Sequence, residues 1–534
     1  MKAGAFLSSS AKRNPDRAAV IWGDRRVSFS ELDARTNQIA DALAKQGVRL
    51  GDRVALCLPN TIELIEVMGG VLKSGAVLVP VSGRLAKVEC KMIFEEVEPA
   101  AIFFGASMRE AALEAAAARP RPLLVAVGGA AGSAERDYEQ FVAGGSPSAV
   151  ISLPLEPDDA LISYTSGTTG RPKGIVSTHS NMVVGKGFML ALEFGLRSDD
   201  VTLITTEIAL STGMARVTSS FCLGSTMVLM DHFDPEKTLD LIERERVTVI
   251  GLVPTIARRL IPEIRRRPQA CRTLRIMNAT GEAFPEQVMS ELRELLPQLA
   301  IYSFYAQTEA GIVASLLPSD QLAHPGSVGR PLRGVEVRIV DENLKDVAPG
   351  EVGEILVRSG RPGHFAVMRE YFRQPAATAE AFADGWLRTG DMGRFDSDGF
   401  LYLVDRVKDM IISGGLNIYS REVEAAIMRH PAVAEAAVVG VPDPEFGESV
   451  VAFVRLKSEQ SATVAELIDH CRAQSAGYKK PRHIGFVDEL PRNSGGKVMK
   501  RVLRARAAAE FAGAKWATRE RSTLIETRSN LEGA

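Results

Sequence analysis

Short apolar runs alternate with helical patterns along most of the chain, and this alternation predicts an α/β fold. Five of the apolar runs are typical of buried strands, at residues 201–205, 226–230, 247–253, 274–278 and 300–304. Strands that are apolar on both faces need helices on both sides of their sheet. The pattern therefore predicts a large N-terminal domain built from doubly wound parallel sheets.

The pattern changes at two other places. Near the N-terminus, Ser30 and Asp33 fit an N-cap and a first-turn acid for an amphipathic helix that runs through Ala44. After Gly326 the apolar runs become shorter and are separated by glycine and proline. Such spacing favours a small antiparallel, β-barrel-like subdomain.

A domain boundary is predicted close to residues 405–409, which gives domains at 1–405 and 406–534. The second domain is predicted to be a small α+β unit. Its predicted elements are a helix at 420–428, strands at 434–439 and 449–454, and a helix at 463–475. We expect this unit to be mobile relative to the first domain.

Composition narrows the class of protein. The chain has 534 residues, which exceeds what one hydrophobic core usually serves, so two or more domains are expected. A net charge of -2 offers no general attraction to nucleic acid or to an anionic membrane. No apolar run is long enough to span a bilayer, and the N-terminal apolar stretch is too short for a secretory signal. Five scattered cysteines without a CxxC pair indicate reduced thiols, and we expect a cytoplasmic protein.

One segment has the composition of a phosphate-binding loop. It follows an apolar run at 160–164 and combines hydroxyls, glycines and cations: Thr165, Ser166, Gly167, Thr168, Thr169, Gly170, Arg171, Pro172, Lys173 and Gly174. Glycines let backbone N–H groups approach an anion closely, and hydroxyls donate hydrogen bonds. Because Lys173 precedes Gly174, the segment is not a Walker A loop. A polar loop without a ligand is the alternative.

A second segment places a carboxylate at the end of a predicted strand. Tyr305, Thr308 and Glu309 follow the apolar run at 300–304. Open α/β sheets bind ligands at the carboxyl ends of their strands. Mg²⁺ takes oxygen ligands and usually only one or two carboxylates, so Glu309 is a candidate Mg²⁺ ligand beside nucleotide phosphates. On its own, Glu309 would be a solvated loop acid.

Several strings in this order resemble the acyl-adenylate-forming (AMP-binding) enzyme family, which includes acyl-CoA synthetases, adenylation domains and firefly luciferase. The resemblance covers about residues 6–504. Besides the two segments above, it rests on the strings at 280–283, 385–391, 413–418 and 491–497. Ala306 replaces a usual glycine, and Glu282 and Phe284 depart from the commoner residues of their string.

The resemblance implies a role for each matching residue. Lys497, Thr308 and Glu309 would be catalytic, Glu309 would also bind the metal, and Lys408 would be the hinge. The implied ATP-binding residues are Thr165, Ser166, Gly167, Thr168, Thr169, Lys173, Gly281, Glu282, Ala283, Tyr305, Asp391 and Arg406. Residues implied in coenzyme A binding are Gly414, Gly415, Phe446, Tyr478, Lys480 and Arg482.

The implied acyl pocket involves Leu210, Gly213 and Gly281. Family members usually have an aromatic residue and a histidine before the glycine, and Leu210 stands where that histidine is expected. This departure indicates an apolar pocket wall. No acid stands where the ammonium of an amino acid would need one. A medium-chain, alicyclic or aryl acid fits these residues.

The resemblance thus implies an AMP-forming carboxylic acid–CoA ligase with ATP, Mg²⁺ and coenzyme A as cofactor or substrates. A lysine hinge is common in acyl-CoA synthetases, and no carrier domain follows Lys497 in this sequence. The alternatives are a stand-alone adenylation enzyme that loads a carrier protein and a luciferase-like oxygenase. Membership also allows a homodimer, and Lys497 resembles the lysine that protein acetyltransferases modify.

Overall fold

The computed structural model describes residues 2–116, 121–129, 131–133, 135–151, 153–154, 156, 158–165, 172–279, 284, 286–492 and 497–511. Two compact units divide the chain. The first comprises residues 1–389 and 393–403, and the second comprises residues 390–392 and 404–534. None of the helices in the described part of the chain is long and apolar enough to cross a membrane.

Helices account for much of both units. A π-helix at Asn181–Met189 precedes α7 without a break. The α-helices are α1 (Gly4–Arg13), α2 (Phe29–Lys45), α3 (Ile62–Ser74), α4 (Lys87–Val97), α5 (Arg109–Ala115), α6 (Tyr138–Ala143), α7 (Leu190–Phe194), α8 (Ser211–Leu223), α9 (Pro235–Arg244), α10 (Pro254–Arg266), α11 (Glu286–Leu295), α12 (Pro375–Ala381), α13 (Ser420–Met428), α14 (Val464–Gln474) and α15 (Lys500–Phe511).

The strands are β1 (Ala18–Trp22), β2 (Arg25–Ser28), β3 (Arg53–Cys57), β4 (Val77–Pro80), β5 (Ala101–Phe104), β6 (Leu123–Ala126), β7 (Arg136–Asp137), β8 (Asp159–Thr165), β9 (Lys173–Thr178), β10 (Val201–Ile204), β11 (Thr226–Leu229), β12 (Val249–Leu252), β13 (Ile276–Ala279), β14 (Ala300–Gln307), β15 (Gly311–Leu316), β16 (Arg330–Pro331), β17 (Glu336–Val340), β18 (Gly353–Arg358), β19 (Glu370–Tyr371), β20 (Phe382–Ala383), β21 (Trp386–Phe395), β22 (Leu401–Arg406), β23 (Ile411–Ser413), β24 (Leu416–Ile418), β25 (Val433–Asp443), β26 (Gly447–Leu456) and β27 (His483–Phe486).

Two large sheets form the centre of the first unit. Over the described residues one sheet has the strand order β16-β15-β14-β13-β12-β10-β11-β1-β2, and the other has the order β19-β9-β8-β4-β3-β5-β6-β7. From β1 through β14 the first sheet is parallel, and its central strands β11, β12 and β13 are buried along their whole length. Because both faces are covered, these strands are composed mostly of apolar residues. The predicted doubly wound α/β fold is confirmed.

A smaller sheet follows along the chain. It runs β17-β18-β21-β20, with β22 beside β21, and the β17–β18 and β20–β21 pairs are antiparallel. It corresponds to the antiparallel subdomain that the short runs after Gly326 predict.

The second unit combines its own sheet with helices. The strand order is β24-β23-β26-β25, with β27 beside β26, and two apolar clusters cover the sheet. Helix α13 begins at Ser420 and ends at Met428, which are the predicted bounds. The small α+β unit is therefore present.

One local prediction is wrong in register. The N-cap of α2 is Ser28, whose hydroxyl accepts from the backbone N–H of Glu31, while the Glu31 carboxylate accepts from the N–H of Ser28. The sequence pattern predicts this cap two residues later, at Ser30 with Asp33. Because β2 already ends at Ser28, the helix begins directly after the strand.

Candidate active site

The phosphate-loop candidate connects two paired strands. β8 and β9 are antiparallel, and Thr165 lies opposite Lys173 across the pair. The predicted loop residues between them, Ser166, Gly167, Thr168 and Thr169, lie outside the described residues. The same holds for Gly281, Glu282 and Ala283. Of the first string, the structure therefore positions the two ends, Thr165 and Lys173.

Lys173 is linked to Glu309 through a tyrosine. The Lys173 Nζ lies 4.8 Å from the centroid of the Tyr371 ring, and the Tyr371 hydroxyl donates to Glu309 Oε1 at 3.3 Å. Burial, followed by the charge of Glu309, raises the pKa of Tyr371, so the phenol stays a donor. The ring of Tyr371 thus brings the cation of one motif and the carboxylate of another to the same place.

Backbone contacts fix the turn that carries Glu309. Strand β14 ends at Gln307, and the carbonyl of Glu309 accepts from the N–H of Met368 at 2.7 Å. The amide nitrogen of Gln307 donates to the carbonyl of Thr389 at 3.0 Å. Thr308 lies in the same turn, while Tyr305 is buried with 6% of its surface exposed. The predicted carboxylate therefore sits where the strand ends.

The two residues predicted to bind ribose lie together in the second unit. Arg406 Nε is 3.1 Å from Asp391 Oδ1, and Asp391 is buried. The Arg406 guanidinium holds the Asp391 carboxylate in place. This pair gives a hydroxyl ligand both an acceptor and a donor.

The predicted hinge residue Lys408 lies in a short 3₁₀ turn at Val407–Asp409 and is exposed. On one side, the carboxylate of buried Asp405 accepts hydrogen bonds from the backbone N–H and the hydroxyl of Ser420. On the other side, Asp409 pairs with Arg504 at 3.0 Å. The turn is thus anchored at both ends, and Lys408 lies between the anchors.

Four of the six predicted coenzyme A residues have close neighbours within the group. Gly414 and Gly415 form the turn between β23 and β24, with φ of 59° and 78°, as a two-residue hairpin requires. The N–H of Gly414 donates to the carbonyl of Phe446 at 2.7 Å, and the Arg482 guanidinium lies 3.8 Å from the Phe446 ring centroid.

The remaining members of that group are separate. Tyr478 is 48% exposed, and Lys480 Nζ donates to the carbonyl of Gly477 at 3.3 Å. The structure thus assembles a cluster of glycine turn, aromatic ring and guanidinium. Lys497, the predicted catalytic lysine, is exposed ahead of α15.

A cavity of about 60 Å³ lies in the first unit, next to the end of β14. Its wall includes Gln307 and the α8 residues Ser211, Thr212, Ala215 and Arg216. These α8 residues begin one position after Leu210, which is the N-cap of the helix. Gly213 is not among the residues that line this cavity. A Cβ added there would lie 2.4 Å from the carbonyl oxygen of Glu207.

Two cations in this wall were not predicted from the sequence. Lys186 on the π-helix is 9% exposed, and Arg216 on α8 is 5% exposed. Burial lowers the pKa of Lys186 to about 8 and that of Arg216 to about 10. The available signal was a single cation in each of two helical stretches that are rich in apolar and small residues, at 181–194 and 211–223. The apolar wall that Leu210 indicated is therefore incomplete.

Comparison with known families gives two matches, one within each of the two units. A model described as "AMP-binding enzyme" matches residues 7–372, and one described as "AMP-binding enzyme C-terminal domain" matches residues 422–497. Together these matches cover most of the chain.

Curated relatives match over nearly their whole length. The chain is 34% identical to a 2-succinylbenzoate–CoA ligase of Bacillus licheniformis, over 93% of this chain and 98% of the relative. It is 33% identical to the long-chain-fatty-acid–CoA ligase FadD13 of Mycobacterium tuberculosis, over 91% of this chain and 94% of the relative. It is 35% identical to a feruloyl-CoA synthase of an Amycolatopsis species, over 94% of this chain and 98% of the relative.

Solved structures are also similar to this chain over nearly its whole length. ATP-bound MatB from Rhodopseudomonas palustris has a TM-score of 0.86 at 29% identity, with 96% of this chain and 100% of the other covered. The o-succinylbenzoate coenzyme A synthetase of Bacillus subtilis in complex with AMP has a TM-score of 0.82 at 30% identity, with 93% of this chain and 98% of the other covered. As its motifs predict, the chain belongs to the family of AMP-binding enzymes, and its curated relatives are acid–CoA ligases.

Proposed function

We propose that the protein is an ATP-dependent carboxylic acid–CoA ligase. In the first half-reaction the carboxylate attacks the α-phosphate of ATP, which gives an acyl-adenylate and pyrophosphate. In the second, the coenzyme A thiol attacks the acyl carbon, which gives the thioester and AMP. The observation that carries the proposal is the junction of Lys173 and Glu309 at Tyr371, which brings a phosphate-loop cation and a carboxylate to one strand end.

The residues of the first unit supply the site for the triphosphate. Lys173 offers positive charge at the end of the phosphate loop, and we propose that Thr165 and the loop residues up to Thr169 donate to phosphate oxygens. Thr308 lies in the same turn as Glu309 and is proposed to contact the α-phosphate region. An acid that binds in the adjacent cavity then meets the nucleotide beside Gln307.

Glu309 fits a Mg²⁺ site by its chemistry. It is one carboxylate at a strand end, and Mg²⁺ usually takes one or two carboxylates together with phosphate oxygens and water. The hydrogen bond from Tyr371 orients this carboxylate. When bound, Mg²⁺ neutralises phosphate charge and polarises the phosphorus that is attacked.

The second unit is proposed to serve both half-reactions. Asp391 accepts from the ribose hydroxyls, and Arg406 holds its carboxylate. Rotation about Lys408 would exchange Lys497 for the Gly414–Gly415 turn at the reacting carbon. The anchors at Asp405 and Asp409 support this role, because they confine a change of dihedral angles to the few residues between them.

The cluster around Phe446 is suited to coenzyme A. Its ring offers a stacking surface for adenine, and the Arg482 guanidinium offers charge to phosphate groups. We therefore propose free coenzyme A as the thiol acceptor. The names of the relatives cover aromatic and long-chain acids, so the identity of the acid does not follow from them.

A pyrophosphate-release assay over a panel of carboxylic acids, with and without coenzyme A, tests the proposal. The expected result is acid-dependent pyrophosphate release and, when coenzyme A is present, a thioester product. Dependence on a phosphopantetheinylated carrier protein in place of coenzyme A would favour the stand-alone adenylation enzyme. Consumption of O₂ would favour a luciferase-like oxygenase.

Replacing Glu309 with glutamine should raise the Mg²⁺ concentration needed for half-maximal activity by about tenfold or more, because an amide is a weaker ligand than a carboxylate. The measurement is a Mg²⁺ titration of adenylate formation, with thermal denaturation to show that the variant is folded. Glu336→Gln, on an exposed carboxylate that pairs with Arg358, is the control. An unchanged Mg²⁺ titration would remove Glu309 from the metal site.

We further propose that acetylation of Lys497 inactivates adenylate formation. Lys497 is exposed, and acetylation would remove its charge. Mass spectrometry of the protein after treatment with acetyl-CoA and a protein acetyltransferase should find the modification, with activity falling as the modified fraction rises. Full activity in a sample that is fully acetylated at Lys497 would contradict this role.

A further inference from the structure

The cavity beside β14 holds two buried positive charges without a compensating acid. Its walls contain Lys186 and Arg216, and no aspartate or glutamate of the described residues lines it. Lys186 Nζ and Arg216 Nε are buried and have no hydrogen-bond partner in the part of the chain that the structure describes. A buried charge without a partner is strongly destabilising. Such an arrangement is expected where a ligand supplies the missing charge.

The arginine is held in position by neutral groups. Its two terminal nitrogens donate to the Thr206 hydroxyl at 2.9 Å and to the Asn278 side-chain oxygen at 3.4 Å. Its guanidinium lies over Gly251 in β12, where an added Cβ would lie 1.7 Å from Nε. A glycine within a buried strand often marks such a close approach. Arg216 is thus oriented, but its charge is not neutralised.

Both groups have a pKa above neutral pH despite their burial. Although burial lowers their pKa values, that of Lys186 stays at about 8 and that of Arg216 at about 10. The π-helix with Lys186 and helix α8 with Arg216 pack against each other, and both side chains reach the same cavity. Because they line one cavity, we refer to Lys186 and Arg216 as the cation pair.

The reacting carboxylate is a poor candidate for this pair. That group loses its charge when the acyl-adenylate forms. Cations that held it would stabilise the ground state more than the transition state and would slow the reaction. A better candidate is an acidic group elsewhere on the acid, which keeps its charge throughout the reaction.

We propose, building on the ligase function above, that the substrate is a dicarboxylic acid whose non-reacting carboxylate binds in the cavity that Lys186 and Arg216 line. The other carboxylate would face the end of β14, where Gln307 lines the cavity and Glu309 follows.

The test compares matched pairs of acids. Short aliphatic and aromatic dicarboxylic acids are each assayed for pyrophosphate release beside the monocarboxylic acid of the same skeleton. We expect kcat/KM to be about 10²-fold or more higher for the dicarboxylic member, because a monocarboxylic acid would leave both buried cations without a partner. Lys186→Met and Arg216→Met should each reduce that preference by about tenfold or more, mainly by lowering activity with the dicarboxylic acid.

Thermal denaturation without substrate gives an independent measure. Lys186→Met should raise Tm, because it removes an uncompensated buried charge and keeps most of the side-chain volume. The control is Lys73→Met. Lys73 is also a poorly exposed lysine, but it pairs with Asp33 and donates to Asn37 at 2.7 Å. Its replacement should lower Tm.

Three outcomes would count against the proposal. Equal or better activity of the wild type with the monocarboxylic acids would overturn the substrate class and leave the ligase function standing. An unchanged preference in both methionine variants would remove the cation pair from substrate recognition. Absence of pyrophosphate release with every acid of both sets would contradict the ligase function itself, and the substrate class with it.

Discussion

Replacement of Lys497 by alanine should slow acyl-adenylate formation by about 10²–10³, because one preorganised charge that stabilises the transition state is lost. The carboxylate and the α-phosphate are both anionic and repel each other as they approach. A lysine that bridges them offsets this repulsion only while the new bond forms. The variant should therefore still convert a supplied acyl-adenylate to the thioester at close to the wild-type rate.

The two half-reactions are measured separately. Pyrophosphate release reports adenylate formation, and thioester production from a synthetic acyl-adenylate reports the second step. Lys457→Ala is a matched control, since Lys457 is another exposed lysine of the second unit. Equal losses in both half-reactions for the Lys497 variant would contradict a role restricted to adenylation.

The opposite pattern is expected for Gly415→Leu. A bulky side chain in the turn would obstruct the path of the coenzyme A thiol, and a misplaced reactant typically costs about 10² in rate. Adenylate formation should stay near the wild-type rate, because the proposed role of this turn begins only after pyrophosphate has left. Apart from its two neighbours in the chain, no atom of the described residues lies within 4 Å of a Cβ added at Gly415, so the leucine side chain has space there.

Backbone strain in the turn needs its own control. Gly415 has a φ of 78°, and leucine adopts this backbone conformation only with an increase in conformational energy. Gly399 has a φ of 80° and equally open surroundings, so Gly399→Leu introduces the same strain at another turn. That variant should retain both half-reactions. If Gly415→Leu lost adenylate formation as severely as thioester formation, the exchange of Lys497 for the glycine turn would be wrong for this protein.

Sequence patterns were sufficient for the elements and for the family. The apolar runs located strands such as β10 and β11 to within a residue or so, and the predicted bounds of α13 match the structure. These signals are local, because side-chain periodicity and capping depend on residues within one or two turns. The misplaced cap of α2 marks the limit of this approach, since several serines and acids near one helix start satisfy the same rule.

The tertiary structure decided which distant residues share a site. Tyr371 reaches Glu309 across 62 residues of sequence because β19 pairs with β9, the strand that starts at Lys173. No local pattern singles out this tyrosine. The likeness to the family had implied roles for Lys173 and Glu309, but the ring between them became visible only in the folded chain.

The charge of the cavity beside β14 was likewise undetermined by sequence. Leu210 indicated an apolar wall, whereas the folded chain brings Lys186 and Arg216 from two helices to one cavity. A lysine or an arginine in a helical stretch is usually solvated, and sequence carries no record of which atoms surround it. Burial and the absence of an acidic partner arise from long-range packing. The amino-acid sequence therefore determined the family, and only the tertiary structure revealed the buried charges from which the class of acid is proposed.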